Sequence, residues 1–302
     1  MGSKESNDSG RYFEYLVVEE LTNNYKMQPT QRAKTDQERD ATKTIKKKNF
    51  DIMKNNISRV ASIIVSELNN PEEAIIDRLP DKNDSHADIS IRDQEGRELS
   101  ISLKYNSMDI FHGRLYKTLD WIGLDADIPV RDEFDVGLGT IFDKLHDKIP
   151  IGTKFAEGGI LIEYQDIWRD FMEELLGLVI QTLEPYNQLE IYTHNLYKKI
   201  IGHGSKKDHL RIILNDRKKK NIVMQDLRNI NLPKSFKIEK YQDITKDPRS
   251  RYIWRLNIIF SNGVVVNCRP KQDEKIMQKK PLIKPAWKVD IWGNCGMKET
   301  SF

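Results

Sequence analysis

An aspartate, a serine and a lysine occupy one predicted β-hairpin, at positions where their side chains share a face. Residues 87–104 alternate apolar and polar residues on both sides of the turn sequence Asp-Gln-Glu-Gly. Asp88 is in phase with the polar residues of the first strand, and Ser102 and Lys104 are in phase with those of the second. This set suits phosphodiester hydrolysis: the carboxylate binds Mg²⁺, the metal polarises the phosphoryl oxygen, and the lysine orients or deprotonates the attacking water. The alternative is an exposed cross-strand ion pair between Asp88 and Lys104.

Helices are predicted on both sides of this hairpin along the chain. Apolar residues at helical spacing predict a first helix that begins near Gly10, with Glu14 at the flank of its apolar stripe. The same periodicity predicts one long helix or two shorter ones over residues 36–69, and we expect a short helical turn over residues 71–79. Further helices are predicted over residues 135–149, 166–184 and 186–202.

Strand patterns return in the last third of the sequence. They are clearest over residues 252–269, where Ser-Asn-Gly predicts a tight turn between two apolar strands. We therefore expect an α/β fold in a single elaborated domain covering residues 1–302. Residues 125–205 are expected to form a helical insertion, and residues 206–302 a strand-rich part of the core.

Composition limits the classes of protein to consider. Charged residues make up 31% of the chain, and no run of about 18 apolar residues could span a bilayer. The first residues lack the basic and apolar regions of a signal peptide, so we expect a cytoplasmic protein with no membrane partner. The two cysteines, Cys268 and Cys295, are not arranged in a zinc-binding or disulfide pattern. The net charge is only +3, but lysines are clustered, and such clusters either contact a polyanion or form solvated surface loops.

The hairpin residues resemble the PD-(D/E)xK nuclease superfamily, in which an aspartate and a second acid bind metal beside a lysine. Here Ala87-Asp88 is followed on the next strand by Ser102-Leu103-Lys104, so Ala87 replaces the proline and Ser102 replaces the second acid. The resemblance implies a restriction-endonuclease-like core, with a mixed central sheet flanked by helices. It also implies that Asp88 is the central metal ligand and that Lys104 contacts the scissile phosphate and the attacking water.

A narrower resemblance covers several short segments of the chain. Together these segments are similar to the HaeIII-type restriction endonucleases. They are GRYFEYL, then DISIR followed by ELSISLKYN and HGRL, and finally FSNGVVVNCR followed by WKVDIWG. This implies a type II enzyme that cleaves double-stranded DNA sequence-specifically with Mg²⁺, with GGCC as the family's target and a cognate DNA methyltransferase as its functional partner. The alternatives are a repair-type nuclease without sequence preference and a catalytically silent DNA-binding protein.

The resemblance implies that residues 206–302 also contain a DNA-reading region, and candidate DNA contacts lie in three places. Asn106, His112 and Arg114, just beyond the second strand, could bind phosphate or position water, although His112 could equally be a helix-capping or surface residue. Arginine can pair with guanine and glutamine with adenine, so the late hairpin offers a second group, unless it is only an exposed strand end. The basic cluster and the late-hairpin candidates are Lys218, Lys219, Lys220, Asn267, Arg269, Lys271 and Gln272.

Three acids could supply the carboxylate that Ser102 lacks. Glu98 lies four residues before Ser102, roughly 13 Å along a strand, which is too far unless the register shifts. Asp109 follows the strand in a segment whose path the sequence does not fix. Glu14 could point from its helix toward the catalytic face, and in the superfamily an acid on the first helix often approaches the site. We therefore predict that Glu14 completes the metal site with Asp88; the alternative is a solvated first-turn glutamate favoured by the helix dipole.

Overall fold

The computed structural model describes residues 2–79, 87–106, 118–124, 127–154, 163–201, 208–215, 221–226, 231–243, 253–271, 286–292 and 298–301. Within these ranges only the backbone is described at residues 2–7, 201, 208–209, 221, 241–243, 253–254, 269–271, 286–292, 298–299 and 301. The chain divides into two compact units. The first comprises residues 1–108, 202–230 and 297–302, and the second comprises residues 109–201 and 231–296, so the chain leaves the first unit and returns to it twice.

A seven-stranded mixed sheet lies at the centre of the first unit. Its strands are β1 (Gln28–Pro29), β2 (Ile75–Arg78), β3 (Ile89–Arg92), β4 (Glu98–Tyr105), β5 (Asp208–Asn215), β6 (Asn221–Asp226) and β11 (Lys298–Ser301), adjacent in the order β1-β2-β3-β4-β5-β6-β11. The β1–β2 and β4–β5 pairs run parallel, and the other neighbours run antiparallel. The predicted mixed α/β architecture, with a mixed central sheet flanked by helices, is confirmed.

Three helices precede the hairpin in this unit: α1 (Gly2–Tyr25), α2 (Gln31–Ala41) and α3 (Lys47–Ser66). Helix α1 lies against both α3 and β4. Its residues Phe13, Val17 and Leu21 recur every fourth position, are fully buried and join one apolar core with α3 and the sheet. Burying each such side chain contributes roughly 1.5–3 kcal/mol, which fixes α1 on the sheet. Glu14 follows Phe13 and is carried to the edge of this interface.

The predicted β3–β4 hairpin is confirmed, with its expected register. Ile89 pairs with Ile101 and Arg92 with Glu98, and Gly96 takes a positive φ of 79° in the turn. The polar face differs from the expectation, because Ser90, Ser100 and Ser102 are buried as well as the isoleucines and leucines. Serine tolerates this environment because its small hydroxyl needs few partners.

Two predicted elements were wrong in position or type. Helix α1 begins at Gly2 rather than near Gly10, and Asp8 pairs with Lys43 at 3.0 Å. The predicted helical turn over residues 71–79 contains strand β2 instead, which pairs antiparallel with β3. The pairing supplies backbone hydrogen bonds and buries Ile76 completely, and a solitary helical turn would provide neither.

The region predicted as one or two helices forms two, and α2 is capped at its start. The Thr30 side chain accepts a hydrogen bond from the Ala33 N–H at 3.1 Å. Helix α2 ends at Ala41, and α3 runs from Lys47 to Ser66 before Asn69-Asn70-Pro71.

Among its described residues, the second unit contains four α-helices and a four-stranded sheet. The helices are α4 (Thr118–Ile122), α5 (Ile128–Lys148), α6 (Gln165–Leu183) and α7 (Glu190–Ile201), and the strands are β7 (Phe236–Asp243), β8 (Ile253–Phe260), β9 (Val265–Lys271) and β10 (Ala286–Trp292). The sheet is antiparallel in the order β10-β9-β8-β7, and α6 packs on β8. The predicted turn between β8 and β9 is present, with Gly263 at a φ of 86°.

The helices expected as an insertion belong to the second unit, and the late strands are divided between the two units. Helices α5, α6 and α7 fall in the range expected for an insertion and share the second unit with β7–β10. Strands β5, β6 and β11 join the first unit, so residues 206–302 contribute to both sheets. Within the described ranges, no helix combines the length and apolar character needed to cross a bilayer.

Candidate active site

Asp88 lies where β3 separates from β4, and its carboxylate continues the hydrogen bonding between them. Its backbone N–H donates to the Ile101 carbonyl at 2.8 Å. The next donor on β4, the Leu103 N–H, bonds the Asp88 Oδ2 atom at 2.6 Å instead of a backbone carbonyl. The Ser102 hydroxyl donates to the same oxygen at 3.2 Å. Two donors on β4 therefore fix the orientation of this carboxylate.

Lys104 extends from the same strand toward Asp88. Its Nζ atom lies 3.6 Å from Asp88 Oδ2, and the two side chains are 23% and 18% exposed. The structure thus brings Asp88, Ser102 and Lys104 together around one oxygen atom. The pair is partly buried, so it differs from an exposed cross-strand ion pair and holds its charges where water screens them less.

Glu14 reaches this site from α1. Its side chain is 17% exposed and accepts a hydrogen bond from the Arg78 guanidinium. Burial raises the pKa of the Glu14 carboxyl from its ordinary value of 4.5 to about 8, and the negative charge of Asp88 acts in the same direction. Arg78 and Lys104 act in the opposite direction on this pKa. Glu14 therefore lies within electrostatic reach of both hairpin residues.

Arg78 and Asp40 form a buried extension of the site. The Arg78 side chain is 3% exposed, and its Nη1 atom lies 2.7 Å from Oδ2 of the fully buried Asp40. Burial would raise the pKa of Asp40, but hydrogen bonds from Arg39 and Arg78 hold it below its usual value. Neither residue was predicted from the sequence. A strand over residues 75–78 would have placed Arg78 in phase with Ile76 and shown that a buried arginine needed acidic partners.

The other two candidate acids have different positions. Glu98 Oε1 accepts a 2.5 Å hydrogen bond from the Ser90 hydroxyl, and Glu98 Oε2 lies 3.5 Å from Arg92. Because Glu98 pairs with Arg92, it occupies the turn end of the hairpin, away from Asp88. Asp109 lies outside the described residues.

Two carboxylates at the site could hold a divalent cation. Among the described residues, Asp88 Oδ1 and Glu14 Oε1 accept no hydrogen bond, while the second oxygen of each carboxylate is engaged. The described part of the chain contains no cluster of three or more His, Cys, Asp or Glu residues suited to a metal. Mg²⁺ is commonly held by one or two carboxylates together with water and substrate phosphate, so this donor set fits it.

The predicted DNA-contacting residues have mixed placements. Asn106 ends β4 with a positive φ of 54°, and its N–H donates to the Leu214 carbonyl at 2.9 Å. Asn267 is fully buried: its amide accepts from Arg255 at 2.8 Å and donates to Asn257 at 3.0 Å. Its side chain therefore belongs to a polar network within the second sheet and has no exposed surface for a base.

The remaining DNA-contact predictions concern positions without described side chains. Arg269 and Lys271 lie in β9, where only their backbone is described. The others lie outside the described ranges: His112, Arg114, Lys218, Lys219, Lys220 and Gln272.

Comparison with known proteins found no relative of this chain. No family model matches this chain, and neither the curated proteins nor the solved structures include a match.

Proposed function

We propose that this chain is a Mg²⁺-dependent DNA endonuclease of the PD-(D/E)xK type, acting as a type II restriction enzyme. The observation that carries the proposal is the contact of Asp88, directly before β3, with Lys104 on β4, together with the electrostatic interaction of both residues with Glu14 on α1. An acid at the end of one strand and a lysine on the next are the hallmarks of that superfamily. The mixed sheet with α1 packed against β4 is compatible with its core.

Each side chain has a distinct part in the proposed reaction. Asp88 and Glu14 would hold the cation through their available oxygens, and Mg²⁺ would polarise the phosphoryl oxygen when bound. Lys104, 3.6 Å from Asp88, would contact the scissile phosphate and orient or deprotonate the attacking water. Ser102 and the Leu103 N–H would keep Asp88 in place, since both donate to its Oδ2 atom. Ser102 thus supports a ligand rather than serving as one.

The matched segments also support the restriction-enzyme part of the proposal. GRYFEYL falls in α1, and DISIR and ELSISLKYN form most of the catalytic hairpin. The segments around VVNCR and WKVDIW form β9 and β10, which are paired neighbours in the second sheet. Of these segments, GRYFEYL lies far from the hairpin in sequence, and its helix α1 contacts β4. On this basis GGCC is the proposed target, with a cognate methyltransferase as functional partner and the cytoplasm as location.

One assay tests the proposal and separates it from its alternatives. The purified chain is incubated with plasmid DNA and Mg²⁺, with EDTA as the metal-free control and Asp88→Asn as the inactive variant. Discrete fragments that need Mg²⁺ and Asp88 are the expected result, and the sequences of their ends test whether the target is GGCC. A smear would indicate a repair-type nuclease, and a gel shift without cleavage would indicate a silent DNA-binding protein; either result would contradict the restriction assignment.

A further inference from the structure

Arg78 is a charged residue at a buried position of the sheet, where an apolar residue is expected. On β2 it is in phase with the buried Ile76, and it pairs across the ladder with Ile89 on β3. Its guanidinium is 3% exposed and contacts two carboxylates, Asp40 from α2 and Glu14 from α1. The arginine therefore connects two helices through charge at the edge of an apolar core.

Stability alone does not explain this arrangement. Removing charges from water costs several kcal/mol per ion, and well-packed apolar residues often replace a buried ion pair without loss of stability. Asp40 also lies in the last turn of α2, where the helix dipole disfavours a negative charge. The charged network thus has desolvation and helix-dipole costs that an apolar core would avoid. This suggests that Arg78, Asp40 and Glu14 have a role beyond stability.

Helix α2 is attached to β2 at both of its ends. At its start, the Thr30 hydroxyl donates to Asp77 Oδ1 at 2.5 Å and also accepts from the Ala33 N–H. At its end, Asp40 contacts Arg78, and Arg39 pairs with both oxygens of Asp40 at 3.0 Å. These contacts leave Asp40 little freedom, and Asp40 in turn restricts Arg78.

We propose that Arg78 is a positioning residue for the Glu14 carboxylate, and that Asp40 fixes Arg78 for this purpose. Arg78 engages Glu14 Oε2, which leaves Oε1 as the oxygen available to a cation shared with Asp88. The positive charge of Arg78 also offsets the repulsion between the two carboxylates. This inference rests on the metal site of the proposed function, and it assigns Arg78 and Asp40 to the set of groups that determine metal affinity.

The test measures metal binding rather than cleavage. Mn²⁺ is titrated by calorimetry into the full chain without DNA, at a temperature where circular dichroism shows every variant to be folded. Arg78→Lys keeps the charge but loses the fork that spans Asp40 and Glu14, and we expect Mn²⁺ affinity to fall by about 10- to 100-fold. Arg255→Lys is the control, because Arg255 is a partly buried arginine that bonds the buried Asn267 in the sheet of the second unit, and none of its described contacts involves Asp88, Glu14 or Ser102. It should leave Mn²⁺ affinity within about twofold of the wild type.

A double-mutant cycle shows whether Arg78 acts through Glu14. In a Glu14→Gln background, Arg78→Lys should weaken Mn²⁺ binding no further, since the group it positions has already lost its charge. If Arg78→Lys does not fold, Asp40→Asn gives the same comparison with an uncharged residue of the same shape. The inference would be overturned if Arg78→Lys or Asp40→Asn were folded and less stable than the wild type but bound Mn²⁺ with wild-type affinity.

The outcomes also separate this inference from the proposed function. A wild-type chain that binds Mn²⁺ but does not cleave DNA contradicts the nuclease assignment, and the variants still decide the role of Arg78. A chain that cleaves, with Arg78→Lys binding Mn²⁺ normally, contradicts only the positioning role. A wild-type chain that binds no Mn²⁺ without DNA overturns the positioning role, and the cleavage assay then decides the nuclease assignment.

Discussion

Replacing Glu14 by glutamine should change how stability depends on pH. The pKa of Glu14 is raised from 4.5 to about 8 in the folded chain, chiefly by burial and then by the charge of Asp88. Between these values the folded chain holds a proton that the unfolded chain has released, so stability falls as pH rises. The slope is about 1.4 kcal/mol per pH unit, or about 4 kcal/mol from about pH 5 to about pH 8. Below about pH 4.5 Glu14 is protonated in both the folded and the unfolded chain, and its contribution to stability is fully present.

Urea unfolding of the wild type and Glu14→Gln across this pH range measures the effect. Glutamine keeps the shape of the side chain and can still accept a hydrogen bond from Arg78, but it does not titrate. The free energy of unfolding should therefore depend less on pH in the variant, which should be the more stable protein near pH 8. Glu20→Gln, on the same helix, is the control and should follow the wild type. Parallel curves for the wild type and Glu14→Gln would refute this account of the Glu14 environment.

Three further predictions concern activity and binding. Lys104→Ala should abolish cleavage while keeping measurable DNA binding, because most affinity comes from other contacts; unchanged cleavage would remove Lys104 from the reaction. Glu14→Gln should lower Mg²⁺-dependent cleavage by orders of magnitude, whereas Glu98→Gln, at the turn end of the hairpin, should be far milder; the reverse order would place the second carboxylate at Glu98. Replacing Lys218, Lys219 and Lys220 with serine should reduce the slope of log affinity against log salt by up to about 0.9 for each lost phosphate contact, and an unchanged slope would identify a solvated loop.

The hairpin was predictable because its signals are local. Alternation over residues 89–92 and 98–105 and the turn that joins them set which side chains share a face, and the register followed. Glu14 was proposed partly for a similar reason, since helical periodicity placed it at the flank of a buried stripe, and partly from the superfamily resemblance. In both cases the decisive contacts lie near elements whose periodicity is strong over many residues.

Arg78 was missed because β2 depends on a partner. Four residues give too short a pattern to distinguish a strand from a helical turn, and the sequence Pro-Glu-Glu-Ala before it resembles a helix start. Pairing with β3 decides the conformation, and that interaction lies outside the segment. Once the segment is assigned as helical, the alternation that buries Arg78 is no longer visible.

Local sequence patterns also could not predict which helices and strands form the second unit. Its strands β8 and β9 were predicted individually, and so were α5, α6 and α7. Their membership of one unit depends on contacts such as those between α6 and β8, which are separated by some 70 residues along the chain. The periodicity that predicts each element contains no information about which distant element will cover its apolar face.

The serine at position 102 is consistent with the charges around it. Ser102 is 2% exposed and donates to Asp88, so an acid there would place a second negative charge in a buried position beside the first. In the proposed site Glu14 on α1 supplies the second carboxylate instead, where Arg78 contacts it directly and Asp40 contacts Arg78. Burial and the charge of Asp88 raise the pKa of Glu14, and the buried Arg78 beside it opposes that rise.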